Sequence, residues 1–209
     1  MFYETAKRDR TLLPHDPFKA IVTPRPIGWI STRNNAGAIN LAPYSFFNGF
    51  SSQPPIVGFS SEGAKDSLAF AQESGEFVAN LASFDLMRQV SLTSAPLARG
   101  SNEFDHAGLS MAACQIVRAP RVAQCHAAME CKLTEIVTLK NASGRPTNCH
   151  LVIGEVVAFH IDDDYIRDGR FDTAKAQPLA RCGYQDYAYV DKLIELARPP
   201  GGGEAVASR

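Results

Sequence analysis

Residues Pro24–Phe47 read PRPIGWISTRNNAGAINLAPYSFF, and Lys65-Asp66-Ser67 follows eighteen residues later. The stretch has the pattern of strand, tight turn, strand. Ile27, Trp29 and Ile30 are strand formers that run into the hydroxyl pair Ser31-Thr32. Asn34, Asn35 and Gly37 supply turn chemistry, and Asn40 to Phe47 starts the return strand. In one reading Ser31, Thr32, Ala42 and Ser45, all small or hydroxylic, stand where the two strands face a ligand. A flat, hydrogen-bonding ring system needs such a surface, because backbone must approach it without bulky side chains between. The other reading is an ordinary β-hairpin in a β-rich core.

Beyond the hairpin, PPIVGFS (54–60) is a short apolar strand opened by prolines. Asp66 suits the N-cap of a helix over 67–73 that ends near Ser74-Gly75, and EFVANLA (76–82) reads as a buried strand. Asp85 is placed to cap a second short helix, 86–92, and 97–108 reads as loop. Met129, Cys131, Leu133 and Val137 alternate with Glu130, Lys132, Thr134 and Thr138, a half-buried strand. Segment 149–161 carries Leu151, Ile153, Val157 and Phe159 on one side and His150, Val152, Val156 and His160 on the other. Gly154 marks a bulge or tight bend there, and 141–144 is the turn between the two segments. Many strands, short helices and no regular βαβ alternation predict a closed antiparallel barrel. The expected organisation is an N-terminal arm (1–17), one domain (18–197) and a disordered tail (198–209).

The bulk numbers narrow the function classes. With 209 residues, 45% hydrophobic and 21% charged, the chain suits one globular domain. A net charge of -1 gives no reason to expect nucleic acid or an anionic membrane as partner. The polar N-terminus MFYETAKRDR and the lack of an 18-residue apolar run leave a cytoplasmic location as the expectation. Five cysteines without a CxxC pair support neither a disulfide framework nor a zinc knuckle, and no metal is expected. GxGxxG and GxSxG are both missing, which argues against a Rossmann dinucleotide site and a nucleophilic serine.

In order, PRPIGWIST, NLAPYSFF, Pro54-Pro55, KDS, EFVANL, EFDHAGL, MECKL, HLVIGEVVAFHID and PLARCGY resemble the flavin reductase-like family of FMN-binding split barrels. The resemblance spans roughly residues 15 to 190. It implies a mainly β fold, an antiparallel split β-barrel with a few short peripheral helices, and a homodimer with the flavin near its interface. It also implies FMN as cofactor, NADH or NADPH as electron donor, and a downstream oxygenase or other electron acceptor. A flavoredoxin-like electron carrier, or a flavin-free binding protein of the same fold, are the alternatives.

The resemblance brings Lys65, Asp66 and Ser67 to the flavin phosphate. A helix N-terminus offers free N–H groups and the positive end of the dipole, to which Lys65 adds a charge and Ser67 a hydroxyl; a capped surface helix is the plainer account. It likewise assigns Ser31, Thr32 and the Ala42-Pro43 to Ser45 segment to the ring and ribityl chain, with Asn40 and Asn48 as further candidates. Trp29 either stacks near the ring or belongs to the core. Arg99 and Ser101 either reach a second phosphate or lie in a solvated loop. A histidine of the late strand, His150 or His126, is the candidate at the nicotinamide, and the catalytic role falls to His150. Flavin chemistry asks little acid–base help of a protein, so a site of amides and hydroxyls without a catalytic dyad fits it.

Overall fold

The computed structural model describes residues 1–97, 101–197 and 199. Its strands are β1 Arg25–Pro26, β2 Gly28–Arg33, β3 Ile39–Tyr44, β4 Phe47–Ser52, β5 Pro55–Glu62, β6 Glu76–Leu81 and β7 Met111–Ala112. They continue with β8 Arg121–Val122, β9 Ala127–Lys140, β10 Pro146–Ile161, β11 Ile166–Arg167, β12 Arg170–Phe171, β13 Leu179–Gly183 and β14 Asp186–Tyr189. Short α-helices accompany them: α1 Phe18–Ile21, α2 Asp66–Ser74, α3 Met87–Leu92, α4 Glu103–His106 and α5 Thr173–Ala176.

One antiparallel sheet has the order β3-β2-β6-β9-β10-β5-β4. Its edges, β3 and β4, are consecutive in the chain, separated by Ser45 and Phe46 alone. Laid flat, seven strands would hold those edges about 29 Å apart, whereas the three Cα steps joining them span at most about 11 Å. At the corner the Ser60 N–H extends the β4–β5 ladder by donating to the Phe46 carbonyl at 2.8 Å, and the sheet curls into a barrel that brings Phe47 of β4 against β2. Gly28 permits that approach: a Cβ there would lie 2.5 Å from Phe47 Cδ2 and 2.6 Å from Cγ. Gly154 plays the same part inside. The β9–β10 register shifts between Ile153 and Gly154, and a Cβ at Gly154 would lie 2.5 Å from the buried Phe77 ring.

The barrel interior is filled by Ile30, Phe59, Phe77 and Val152, closed at one end by Leu68 and Ala71 of α2. The rings of Tyr44 and Phe59 lie 4.6 Å apart and those of Phe59 and Phe77 5.5 Å, the latter edge to face. Such pairs add about 0.5–1.5 kcal/mol each beyond their burial. On the outer face of β2 and β3, Trp29, Leu41, Val90 and Phe104 form a second cluster. Trp29 is fully buried and its Nε1–H donates to Thr93 Oγ1 at 2.8 Å, so it belongs to the core.

Several boundaries differ from expectation. The return strand from Asn40 breaks at the Ser45-Phe46 corner into β3 and β4. Segment 97–108 contains α4, capped by Asn102, whose side chain accepts the Phe104 N–H. Asp85 sits within a 3-10 turn, Phe84–Leu86, and caps nothing there. In β10 a bulge between Val156 and Ala158 pairs Val156 with Cys131 but Ala158 with the next residue, Glu130. That extra residue inverts the inward–outward parity, so His160 shares a face with Glu130 and not with His150 and Val152. The expected tail, 198–209, lies outside the described residues apart from Pro199.

Candidate functional site

Both faces of the hairpin are covered, and this decides which of its polar residues remain accessible. Ser31 is fully buried on the outer face, and its hydroxyl donates to the Pro120 carbonyl at 2.5 Å. Thr32, on the alternate face, is fully buried as well, and its Oγ1 has no hydrogen-bond partner among the described residues. Asn40 lies opposite Thr32 in register and donates to the Ser67 hydroxyl at 2.6 Å. Ser67 in turn meets Tyr44, whose pKa burial raises against the hydrogen bonds of Ser67 and Ser61. These hydroxyls and amides knit α2 onto the barrel end. The expectation that Ser31 and Thr32 turn their hydroxyls to a ring is not met, because the 119–122 segment covers one face and α2 the other.

The opening lies at the corner instead. Ser45 and Asn48, with Arg25, Phe46, Ser60 and Leu151, line a cleft of about 320 Å³. Arg25 is held by the carbonyls of Lys19 and Val22, with its guanidinium 5.6 Å from the centre of the Phe46 ring. A second, almost wholly apolar groove of about 350 Å³ adjoins it, walled by Met129, Phe159, Ile161 and Pro178. The two share Pro26 and Phe47, so a cleft with hydroxyls and an amide in its wall lies beside an apolar one. Ala42 and Pro43 are half-buried on β3, just before the corner.

Asp66 is the first residue of α2 and not its cap. The N-cap position is Lys65, which is exposed, and no side chain caps the helix. The first-turn N–H groups are therefore left to other acceptors. One flank of this terminus is a pocket of about 430 Å³ lined by Asn34, Asn40, Asp66, Asn102 and Glu103. Glu103 Oε2 accepts the Leu41 N–H at 3.1 Å. Burial first, and then the charge of Asp66, push the Glu103 carboxyl above its ordinary pKa. An anion at α2 meets the helix dipole and Lys65 on one side and two carboxylates on the other, which favours approach from the Lys65 side. Ser101 lies at the acidic flank, and Arg99 lies outside the described residues.

His150 pairs with Ser61 in register, and its Nδ1 is 3.1 Å from Thr138 Oγ1. Its neighbour Leu151 lines the cleft, and successive strand residues point to opposite faces, so His150 faces away from it. His150, the residue expected to be catalytic, thus lies outside the lining of this cleft. His126 stacks on Tyr165 at 4.0 Å and reaches Asp85 at 3.3 Å, and so joins neither His150 nor the cleft. Phe159 and Ile161 went unrecognised as groove walls because the β10 bulge that turns them there leaves no mark in an alternating sequence. Glu130 was missed as well. It is fully buried, accepting the N–H groups of Gln115, Ile116 and Val117 and the Nε2–H of His160 at 2.7–2.8 Å. Burial alone would raise its pKa, but these hydrogen bonds outweigh burial and bring it to about 2.

The flavin reductase like domain family model matches residues 21–179. An uncharacterized protein of Halalkalibacterium halodurans is 32% identical over 183 residues, covering 85% of this chain and 87% of that one. YwrF of Bacillus subtilis is 33% identical over 184 residues, covering 85% and 89%. Nitrilotriacetate monooxygenase component B from Bacillus cereus superposes with a TM-score of 0.85 at 26% identity, covering 94% of this chain and 98% of that one. Flavoredoxin of Desulfovibrio vulgaris shares the fold, with a TM-score of 0.75 at 22% identity over 87% and 94%.

Proposed function

Because the chain belongs to the flavin reductase-like family, we propose that it is an FMN-dependent oxidoreductase, an NAD(P)H:flavin reductase that passes electrons to an oxygenase or other acceptor. The observation that carries this reading is the adjacency of the two clefts, which share Pro26 and Phe47 in their walls. One offers the Ser45 and Ser60 hydroxyls and the Asn48 amide, and the other offers only carbon. An isoalloxazine has that same division, a hydrogen-bonding pyrimidine edge and an apolar dimethylbenzene edge, so the residues fit the cofactor.

Bound FMN supplies a hydride acceptor at its N5. In this reading Ser45, Asn48 and Ser60 orient the ring through its polar edge, and the backbone at Ala42-Pro43 adds close contact before the corner. Pro26, Phe47, Phe159 and Ile161 exclude water from the apolar edge. Lys65 and the uncapped first turn of α2 hold the phosphate, with Asp66 setting the acidic limit on its far side and Ser67 serving through its backbone N–H. Ser31, Thr32 and Asn40 support this surface from behind. Phe159 is 58% exposed and Ile161 42%, apolar area that supports a second copy of the chain covering the groove as a homodimer. Among the described residues no helix is long and apolar enough to cross a membrane, and the cytoplasm is the proposed location.

An anaerobic titration tests the proposal. The purified protein loaded with FMN should be yellow and should bleach with NADH or NADPH. Bleaching by dithionite alone would point to an electron carrier, and failure to bind FMN would leave a binding protein of the same fold.

A further inference from the structure

On the sheet face opposite the apolar groove, three chemically different donors converge from three separate segments. Cys114 comes from the stretch between β7 and β8, Glu130 from β9 and His160 from β10. One ligand atom of each lies within 4.8 Å of the others, and Glu130 Oε1 is 2.7 Å from His160 Nε2. We propose that Cys114, Glu130 and His160 form a site for a divalent transition-metal ion of the zinc class, with a fourth position open to solvent.

Thiolate, imidazole and carboxylate together are the donors zinc takes. A tetrahedral ion with bonds of about 2.0–2.3 Å spaces its ligand atoms about 3.3–3.6 Å apart. Opening the 2.7 Å His160–Glu130 contact by about 0.6 Å and closing any other separation, none beyond 4.8 Å, by at most about 1.2 Å reaches that range. The backbone has already done the larger part: the bulge between Val156 and Ala158 is what sets His160 on the face of Glu130.

Glu130 is fixed before any ion arrives. The Gln115 N–H holds Oε1 at 2.8 Å, and those of Ile116 and Val117 hold Oε2 at 2.7 and 2.8 Å. Such outer hydrogen bonds orient metal-binding carboxylates in general. The ion takes the place of the proton between His160 Nε2 and Glu130 Oε1; that proton moves to Nδ1, so the imidazole binds neutral through Nε2, the Cys114 thiol proton leaves to solvent, and Nε2, Oε1 and Sγ become the ligands.

A polar pocket of about 410 Å³, lined by His160, Arg121, His126 and Asp162, adjoins His160 and supplies the route and the water for the fourth position. Phe159 and Ile161 flank His160 in sequence and wall the apolar groove on the other face. An ion at His160 therefore pins the strand that forms that wall.

Cobalt(II) and zinc(II) alone are the probes, added to metal-free full-length protein. One Co²⁺ per chain should give the intense visible bands of a tetrahedral site and a thiolate-to-cobalt charge-transfer band, both erased by one equivalent of Zn²⁺. Cys114→Ser should abolish the charge-transfer band. His160→Gln, at a partly exposed position, should weaken Zn²⁺ binding at least tenfold in competition with a chromophoric chelator, while circular dichroism stays that of the parent. Cys182→Ser should change neither. A parent protein without these bands, or bands that persist in Cys114→Ser, overturns the site, as does unaltered Zn²⁺ affinity in His160→Gln. The result is independent of whether FMN binds.

Discussion

Gly28→Ala probes the seam that closes the barrel and shapes both clefts at once. The added methyl would meet Phe47 Cδ2 at 2.5 Å, Cγ at 2.6 Å and Cβ at 3.1 Å. Unstrained carbon contacts begin near 3.5 Å, so the ring must retreat by about 1 Å. Rotation about the Phe47 side chain relieves the first two contacts but not the third, which moves only with the backbone of β4. Overpacking of this kind costs about 1–3 kcal/mol. Losing the glycine returns about 0.4–1 kcal/mol through the unfolded chain. A net loss of about 1–2 kcal/mol follows, a fall of about 2–8 °C in Tm for a domain of this size. Phe47 lines both clefts, so FMN affinity, followed by quenching of flavin fluorescence, should fall about tenfold, roughly 1.4 kcal/mol. Phe47→Ala removes the ring the methyl strikes. In the double variant Gly28→Ala should then cost less than it does alone, a coupling of at least about 0.5 kcal/mol in a urea-unfolding cycle. An unchanged Tm for Gly28→Ala, or strict additivity in the cycle, would refute the seam as described.

Lys65→Ala should weaken FMN by about 1–3 kcal/mol and leave riboflavin unaffected; equal losses for both would remove Lys65 from the phosphate. Thr32→Val conserves volume and deletes a buried hydroxyl without a partner among the described residues, so chemical denaturation should show equal or higher stability with flavin content unchanged, whereas Ser45→Val should lower flavin occupancy. His150→Ala should leave the KM for NAD(P)H unaltered, since the side chain faces away from the cleft; a several-fold rise would restore it to the site. Burial and Asp66 raise the Glu103 pKa above its ordinary 4.5, so its ionisation opposes folding above that pH and the opposition disappears as the acid protonates below it. Glu103→Gln should therefore be at least as stable as the parent at pH 7, with its advantage gone below about pH 4 in urea titrations at both pH values.

Local chemistry was enough to announce the barrel. The hairpin of Pro24–Phe47, the alternation in β9 and the glycine at 154 each depend on residues near in sequence, and period and turn type report such neighbours directly. The ordered motifs carried the family for the same reason, since each is a short local pattern. What the sequence could not reveal is which face of a strand stays open. Ser31 and Thr32 are hydroxyls on a strand whichever way the chain folds, but Pro120, 89 residues on in the chain, accepts the first, and α2 covers the second. One bulged residue in β10 sends Phe159 and Ile161 to the groove and His160 to Glu130, although the amino acids alternate there much as before. Local sequence sets the strands and turns; accessibility and the meeting of distant donors are properties of closure, set when a sheet whose edges are two residues apart has to curl.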